Sequence, residues 1–193
     1  MASAPPGISF GSAFPTAAQS RIIDAALALF AEHGISGTSL QMIADAIGVT
    51  KAAVYHQYNT KDEIVLAVAQ VVLTGLDAAV VAAEAERSRA RARAVLVSGM
   101  IDLAVEQRHM AGLLQQDPVM LRFLQEHEPF RRVIERVNHV LMAGASDPRA
   151  TVLAAAISGA IAGAVTHPLV ADLDDESLHL HLRKHVGKLL PPR

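Results

Sequence analysis

The sequence predicts an all-α fold of about nine helices, and three observations carry that prediction. Apolar residues recur at helical spacing almost throughout, no stretch alternates with period two, and helix-start signals return at regular intervals. Strands are therefore not expected.

The first helix has Ile22, Ile23, Ala26, Leu27 and Phe30 on one face, opened by Thr16 with Gln19 three residues later and closed by Gly34. The same pairing opens two more helices. Thr38 with Gln41 starts the second and Thr60 with Glu63 the fourth, each hydroxyl accepting from a free backbone N–H while the longer side chain reaches back. From Thr60 to about Glu86 there is no Pro and only Gly75, so this stretch reads as one long helix joining the two halves. Asp117-Pro118 and Asp147-Pro148 each set a capping carboxylate before a proline at the first helical position, where its missing N–H costs nothing. Pro168 ends a helix. The acidic run Asp172, Asp174, Asp175 and Glu176 then prepares the positive end of the last one, whose far end carries Lys184, His185 and Lys188.

Composition sets limits on function. With 193 residues, just over half of them hydrophobic, the chain can bury a substantial core. It has no Cys, which excludes disulfides, thiolate metal sites and a Cys nucleophile. The stretch Met1 to Pro15 lacks a charged n-region and a continuous apolar run, so it reads as a flexible arm and the protein as cytoplasmic. Ala150 to Thr166 is the most apolar segment, yet it falls short of the roughly 20 residues of a spanning helix, and no membrane association is expected. No paired-carboxylate constellation or metal triad stands out, and no cofactor is called for; His181 and His185 share a face but lack a third ligand. "RSRARARA", Arg87 to Ala94, reads as a solvated helix or loop paired with Glu84 and Glu86.

Between the second and third helices Ala44, Gly48, Val49 and Val54 fall at the spacing A-x3-G-V-x4-V. Ala44 lets a crossing helix approach, Gly48 can take the positive φ of a tight turn, and the valines turn inward. The unit is a helix-turn-helix, packed through Leu40, Ile43 and Ile47 on the first helix. Its third helix presents Thr50, Lys51, Ala52, Ala53, Tyr55, His56 and Gln57, small and polar groups suited to a wet, anionic groove. An ordinary helical hairpin is the competing reading.

The segment "GTSLQMIADAIGVTKAAVYHQYNTKDEIVLAV" resembles the DNA-binding segment of the TetR family of transcriptional repressors through Gly37-Thr38, Ile43-Ala44, Gly48-Val49, Tyr55, Tyr58, Lys61 and Ile64. The resemblance covers about Thr16 to Val68. It implies an arm over residues 1–15, a DNA-binding domain over 16–60, and a ligand-binding and dimerisation domain over 61–193. It further implies that Thr38 or Ser39 holds a phosphate, that Tyr55 and Lys61 grip the backbone, and that Thr50, Lys51, Ala52 and His56 read bases. Gln57 stands where His is common and Tyr58 where Phe is usual; Gln57 can still bond a phosphate or an adenine edge. The charge runs against the usual expectation. Met1 to Val65 holds three basic residues, Arg21, Lys51 and Lys61, against five acidic ones, so nonspecific attraction to DNA should be weak.

In the second half Met100, Leu103, Met110, Leu113, Met120, Phe123, Phe130, Ile134 and Met142, with Leu73 from the long helix, could line an adaptable apolar cavity or simply pack the core. The resemblance implies a small-molecule effector here. Small residues around Ala155, Gly159, Ala162 and Gly163 suggest close approach of another backbone, within the chain or from a second copy. The resemblance favours a homodimer through this helix and the last, which carries Leu182. The expected function is a ligand-responsive repressor that binds a palindromic double-stranded DNA operator. A carrier of lipid or another apolar ligand with an unused helix-turn-helix is the alternative.

Overall fold

Thr16 starts the first helix as its spacing predicts. In the computed structural model, which describes residues 15–108, 110, 117–145 and 147–190, its hydroxyl accepts from Gln19 N–H and the Gln19 side chain accepts from Thr16 N–H. The predicted arm over residues 1–15 lies, except for Pro15, outside the described residues. Helix α1 runs Ala17–Gly37 with a kink at Gly34, whose φ of 71° is the left-handed value that glycine accepts without strain. Gly34 thus breaks the helix where the sequence ends it, and one further turn follows.

Helices α2 (Leu40–Ala46) and α3 (Lys51–Gln57) are each seven residues long, too short to be stable alone. They are held by burial. Ile43, Ala44 and Val54 are fully enclosed with Ile22, Ala26, Leu27 and Phe30 of α1. Helix α4 (Lys61–Glu84) is capped by Thr60, which accepts from Glu63 N–H, while the Glu63 carboxylate reaches one residue further back than predicted, to Asn59 N–H. It continues unbroken from the helix-turn-helix into the remainder of the chain, packing on α1 and, most extensively, on α5 (Arg89–Glu106).

Helices α4 and α5 touch closely. A Cβ added at Gly99 would lie 2.7 Å from Ala79 Cβ, and one at Gly75 would lie 2.5 Å from Leu103 Cδ1. Asp117, as predicted, caps α6 (Pro118–Glu126), and a second proline, Pro129, helps begin α7 (Glu128–Leu141) one residue later. Between them His127 ends one helix and precedes the next, its ring stacked on Phe123 at 4.3 Å. Arg136 of α7 is paired with both Asp77 and Glu84 of α4, fastening the two helices at their solvent edge. Its hydrogen bonds hold the Glu84 carboxyl below its ordinary pKa. Glu84 is therefore not the arginine-run partner it was expected to be; that run begins α5, capped by Ser88, and Arg91 pairs with Glu86.

Helix α8 (Pro148–Val165) is capped by Asp147 and α9 (Asp175–Val186) by Asp174, with short 3-10 turns at Pro168–Val170 and Gly187–Leu189. The fold is all-α, nine α-helices among the described residues, with a three-helix unit at one end of a larger helical body. By length and composition α4 and α8 could each cross a membrane. In the fold α4 places eight residues in the core, including Ile64, Val68, Leu73 and Val80, which accounts for much of its apolar character.

Candidate nucleic-acid interface

The turn between α2 and α3 is closed by backbone bonds. Gly48 N–H donates to Asp45 O at 3.2 Å and Val49 N–H to Ala44 O at 3.0 Å, which requires the φ of 68° at Gly48. Thr50 then caps α3, its hydroxyl accepting from Ala53 N–H. With Val54 buried on the inner side, the outer side is left to Thr50, Lys51, Ala52, Ala53, Tyr55 and His56, all exposed, and half-buried Gln57. The Lys51 ammonium lies 5.6 Å from the centre of the Tyr55 ring, so the aromatic face helps position it. Beneath this surface Tyr58 is buried, and burial, with Glu63 adding to it, raises its hydroxyl pKa.

Two predicted phosphate contacts are placed elsewhere by the structure. Thr38 is 2 % exposed, and its hydroxyl faces back into α1, its one proton shared between Gly34 O at 2.9 Å and Leu29 O at 3.2 Å. The cap of α2 is Ser39, which is exposed and accepts from Met42 N–H, while Gln41 turns to Asp45 and makes no capping box. Lys61 is the second. Its ammonium donates to Ile35 O at 2.8 Å and Thr38 O at 3.1 Å, a cation set on the carbonyl end of α1. Arg21 likewise turns to a backbone carbonyl, that of Ile47, at 2.9 Å. Of the three cations in this unit, Lys51 is the one without a hydrogen bond to backbone among the described residues.

The same turn of α1 holds a residue whose contact the sequence did not disclose. Beyond the kink, Ile35 N–H has lost its helical partner and is met by Asp117 Oδ2 at 2.9 Å, 82 residues away. Asp117 was legible as the cap of α6, a role its other oxygen performs with Val119 and Met120 N–H. No local signal points to a contact at that separation.

The predicted ligand-lining set divides. Leu73 borders a cleft of about 400 Å³ between α4 and α7, together with Gln70, Thr74, Asp77, Val133 and Arg136. The Gln70 Oε1 is buried without a hydrogen-bond partner among the described residues. Met110 and Phe130 are packed in the core, while Met100, Leu103 and Phe123 are half-buried. Ile134 is corrected: it is 46 % exposed, because the face of α7 that points inward carries Phe130, Val133 and Val137 instead. Leu113 lies outside the described residues.

At the other end, Ala155 and Gly159 of α8 are exposed and Ala162 and Gly163 half-buried. Side chains added at Gly159 or Gly163 would meet nothing within 4 Å, so these small residues do not serve a close crossing among the described residues of this chain. Leu182 is corrected as well. It is 7 % exposed and faces the chain's own core, and the outward leucine of α9 is Leu180 at 64 %.

Residues 22–68 match the model of the tetR family of bacterial regulatory proteins. The transcriptional regulator SrpR of Pseudomonas putida is 50 % identical over 48 residues, which is 25 % of this chain and 22 % of that protein. That alignment thus spans under a quarter of the relative's length. The ketosteroid transcriptional regulator KstR2 of Mycobacterium tuberculosis superposes with a TM-score of 0.71 at 17 % identity, covering 91 % of this chain and 95 % of that one. AibR, solved in complex with isovaleryl coenzyme A and operator DNA, gives 0.68 at 19 %, covering 91 % and 100 %. The likeness in structure extends over nearly the whole chain and shows a shared fold; the likeness in sequence is confined to the helix-turn-helix, with Gly48, Val54 and the exposed face of α3 inside it. Over residues 22–68 the chain is thus similar in sequence to the tetR family of bacterial regulatory proteins, and over nearly its whole length it shares the fold of solved regulators of that family.

Proposed function

We propose that the chain is a transcriptional repressor acting in the cytoplasm as a homodimer, with residues 16–60 binding DNA and residues 61–193 binding a small effector and a second copy. The exposed outer face of α3 carries this reading. A seven-residue helix raised on the Gly48 turn, with Val54 inward and Thr50, Lys51, Ala52, Tyr55 and His56 outward, has the size and chemistry to enter a major groove. Lys51 reaches guanine acceptors, the alanine methyls meet thymine, and Ser39 and Tyr55 bond phosphates. Dimerisation through α8 and α9 is supported by the open Gly159 and Gly163 and by exposed Val152 and Leu180. It would double these contacts on a palindromic operator. An amphipathic effector fits the half-buried Met100, Leu103 and Phe123, and the likeness to a regulator holding an acyl coenzyme A supports that class.

Selection of bound duplexes from a randomised library tests the reading. A two-fold symmetric site with half-sites about one helical turn apart is the expected product. Retention of no sequence above the starting pool would overturn it in favour of an apolar-ligand carrier. Native mass spectrometry of the purified protein is expected to show a dimer and to reveal any co-purified effector.

A further inference from the structure

The last turn of α1, Ile35 to Thr38, lies between two charged side chains from outside the first three helices. Lys61, at the start of α4, donates to its carbonyls, and Asp117, at the start of α6, accepts from its amide. The geometry has a cause in the sequence. Gly34 turns the backbone out of the helix, so the N–H of Ile35, a residue 1 % exposed, would be orphaned inside the protein without an acceptor. Asp117 supplies one while its other oxygen stays on Val119 and Met120 N–H, and Met120 is itself fully buried in the helical body. One carboxylate therefore joins the three-helix unit to α6 through three backbone amides.

We propose that Asp117 is a positioning residue for DNA recognition: through Ile35 N–H it fixes the orientation of the α1–α3 unit relative to the body, without touching DNA. This rests on the reading of α1–α3 as the DNA-binding unit. Along the backbone Lys61 already ties α1 to α4, but α4 belongs to both units, so only the Asp117 bond ties α1 to α6 by a hydrogen bond among the described residues. A unit held by α4 alone can swing about that helix. Two such units in a dimer would then visit spacings that do not match successive grooves.

The substitution Asp117→Ser separates the two roles, because serine caps a helix well but has no second oxygen to reach Ile35. Asp117→Asn keeps the size with one acceptor oxygen in place of two, and serves if the serine variant folds poorly. The chain has no Cys, so nitroxide labels at Asp24→Cys on α1 and Glu126→Cys on α6 are the only thiol adducts. Labelled protein is diluted with unlabelled protein so that pairs within one chain dominate the distance measurement. In Asp117→Ser the Ile35 amide should exchange with solvent at least about tenfold faster, the label distance distribution should broaden, and affinity for a library-selected duplex should fall about tenfold, with α6 amides still protected. Unchanged Ile35 exchange, or faster exchange with an unchanged distance distribution, would overturn the proposal. If no duplex can be selected at all, the repressor reading fails alone, since exchange and label distances still decide whether Asp117 orients the unit.

Discussion

Lys51 and Lys61 sit ten residues apart in the unit proposed to bind DNA, yet their ammonium groups have different employment. Lys51 is exposed beside Tyr55, whereas Lys61 is directed to the Ile35 and Thr38 carbonyls. In the proposed complex Lys51→Ala should therefore cost about 1 to 3 kcal/mol of operator affinity per half-site and relax preference at the base pair it reads. Lys61→Ala should lower melting temperature and leave base preference unchanged; an unaltered selected-site preference in Lys51→Ala would refute the assignment. At the far end of α4, Arg136 offers a second residue-level test. Because its hydrogen bonds depress the Glu84 pKa, the folded carboxylate holds its proton less tightly than the unfolded one. The associated stability is present above the usual Glu value near 4.5 and is lost as pH falls through the folded value. Arg136→Met should return Glu84 to the ordinary range in a carboxyl-detected NMR titration and flatten that part of the acid-unfolding curve. The pair is partly exposed, so the change should be small at pH 7.

Among the elements, the α4–α5 contact depends on two glycines that differ in what surrounds them. At Gly99 the obstacle is Ala79 Cβ, fixed to backbone, whereas at Gly75 it is the tip of Leu103, which can rotate away. Gly99→Ala should destabilise the fold by about 1 to 3 kcal/mol, the usual cost of overpacking, partly offset by the better helix propensity of Ala. Gly75→Ala should come out milder, and chemical denaturation of the two variants gives the order directly. The elements themselves were legible where a cap was local. Thr16 with Gln19, Thr60 with Glu63, and the two Asp-Pro pairs name their helices because donor and acceptor lie within four residues. Thr38 and Ser39 are adjacent hydroxyls before one helix, and which of them caps it depends on the kink at Gly34 taking the other. The outward face of α3 could likewise be read from the inward valines. That Lys61 would turn inward could not, because its acceptors lie 23 and 26 residues away, on a turn whose path only the folded chain defines. For the same reason a helical period shows that Ile134 and Leu182 lie on apolar sequences and does not say which neighbour covers them.

At the scale of the whole molecule, α8, the 3-10 turn after it and α9 leave Val152, Leu169 and Leu180 respectively more than half exposed, and a Cβ added at Gly159 or Gly163 of α8 would meet nothing within 4 Å among the described residues. If the proposed dimer forms through this face, Leu180→Asp should convert it to monomer with little change in helix content, since this side chain is 64 % exposed in the single chain; sedimentation velocity and circular dichroism check the two halves of that expectation. A monomer would present one recognition helix, and operator affinity should fall with it. That Arg21 and Lys61 each bond backbone carbonyls then acquires a meaning for how the proposed dimer would find its site. A repressor studded with free cations is retained by the bulk of the chromosome and searches by sliding along it. This one, with one such lysine per recognition unit, would dwell only briefly on unrelated duplex. Its search would be mostly three-dimensional, few molecules would be lost to the genome as a reservoir, and operator occupancy would follow the cellular copy number closely, so that modest changes in its own synthesis would register as changes in transcription.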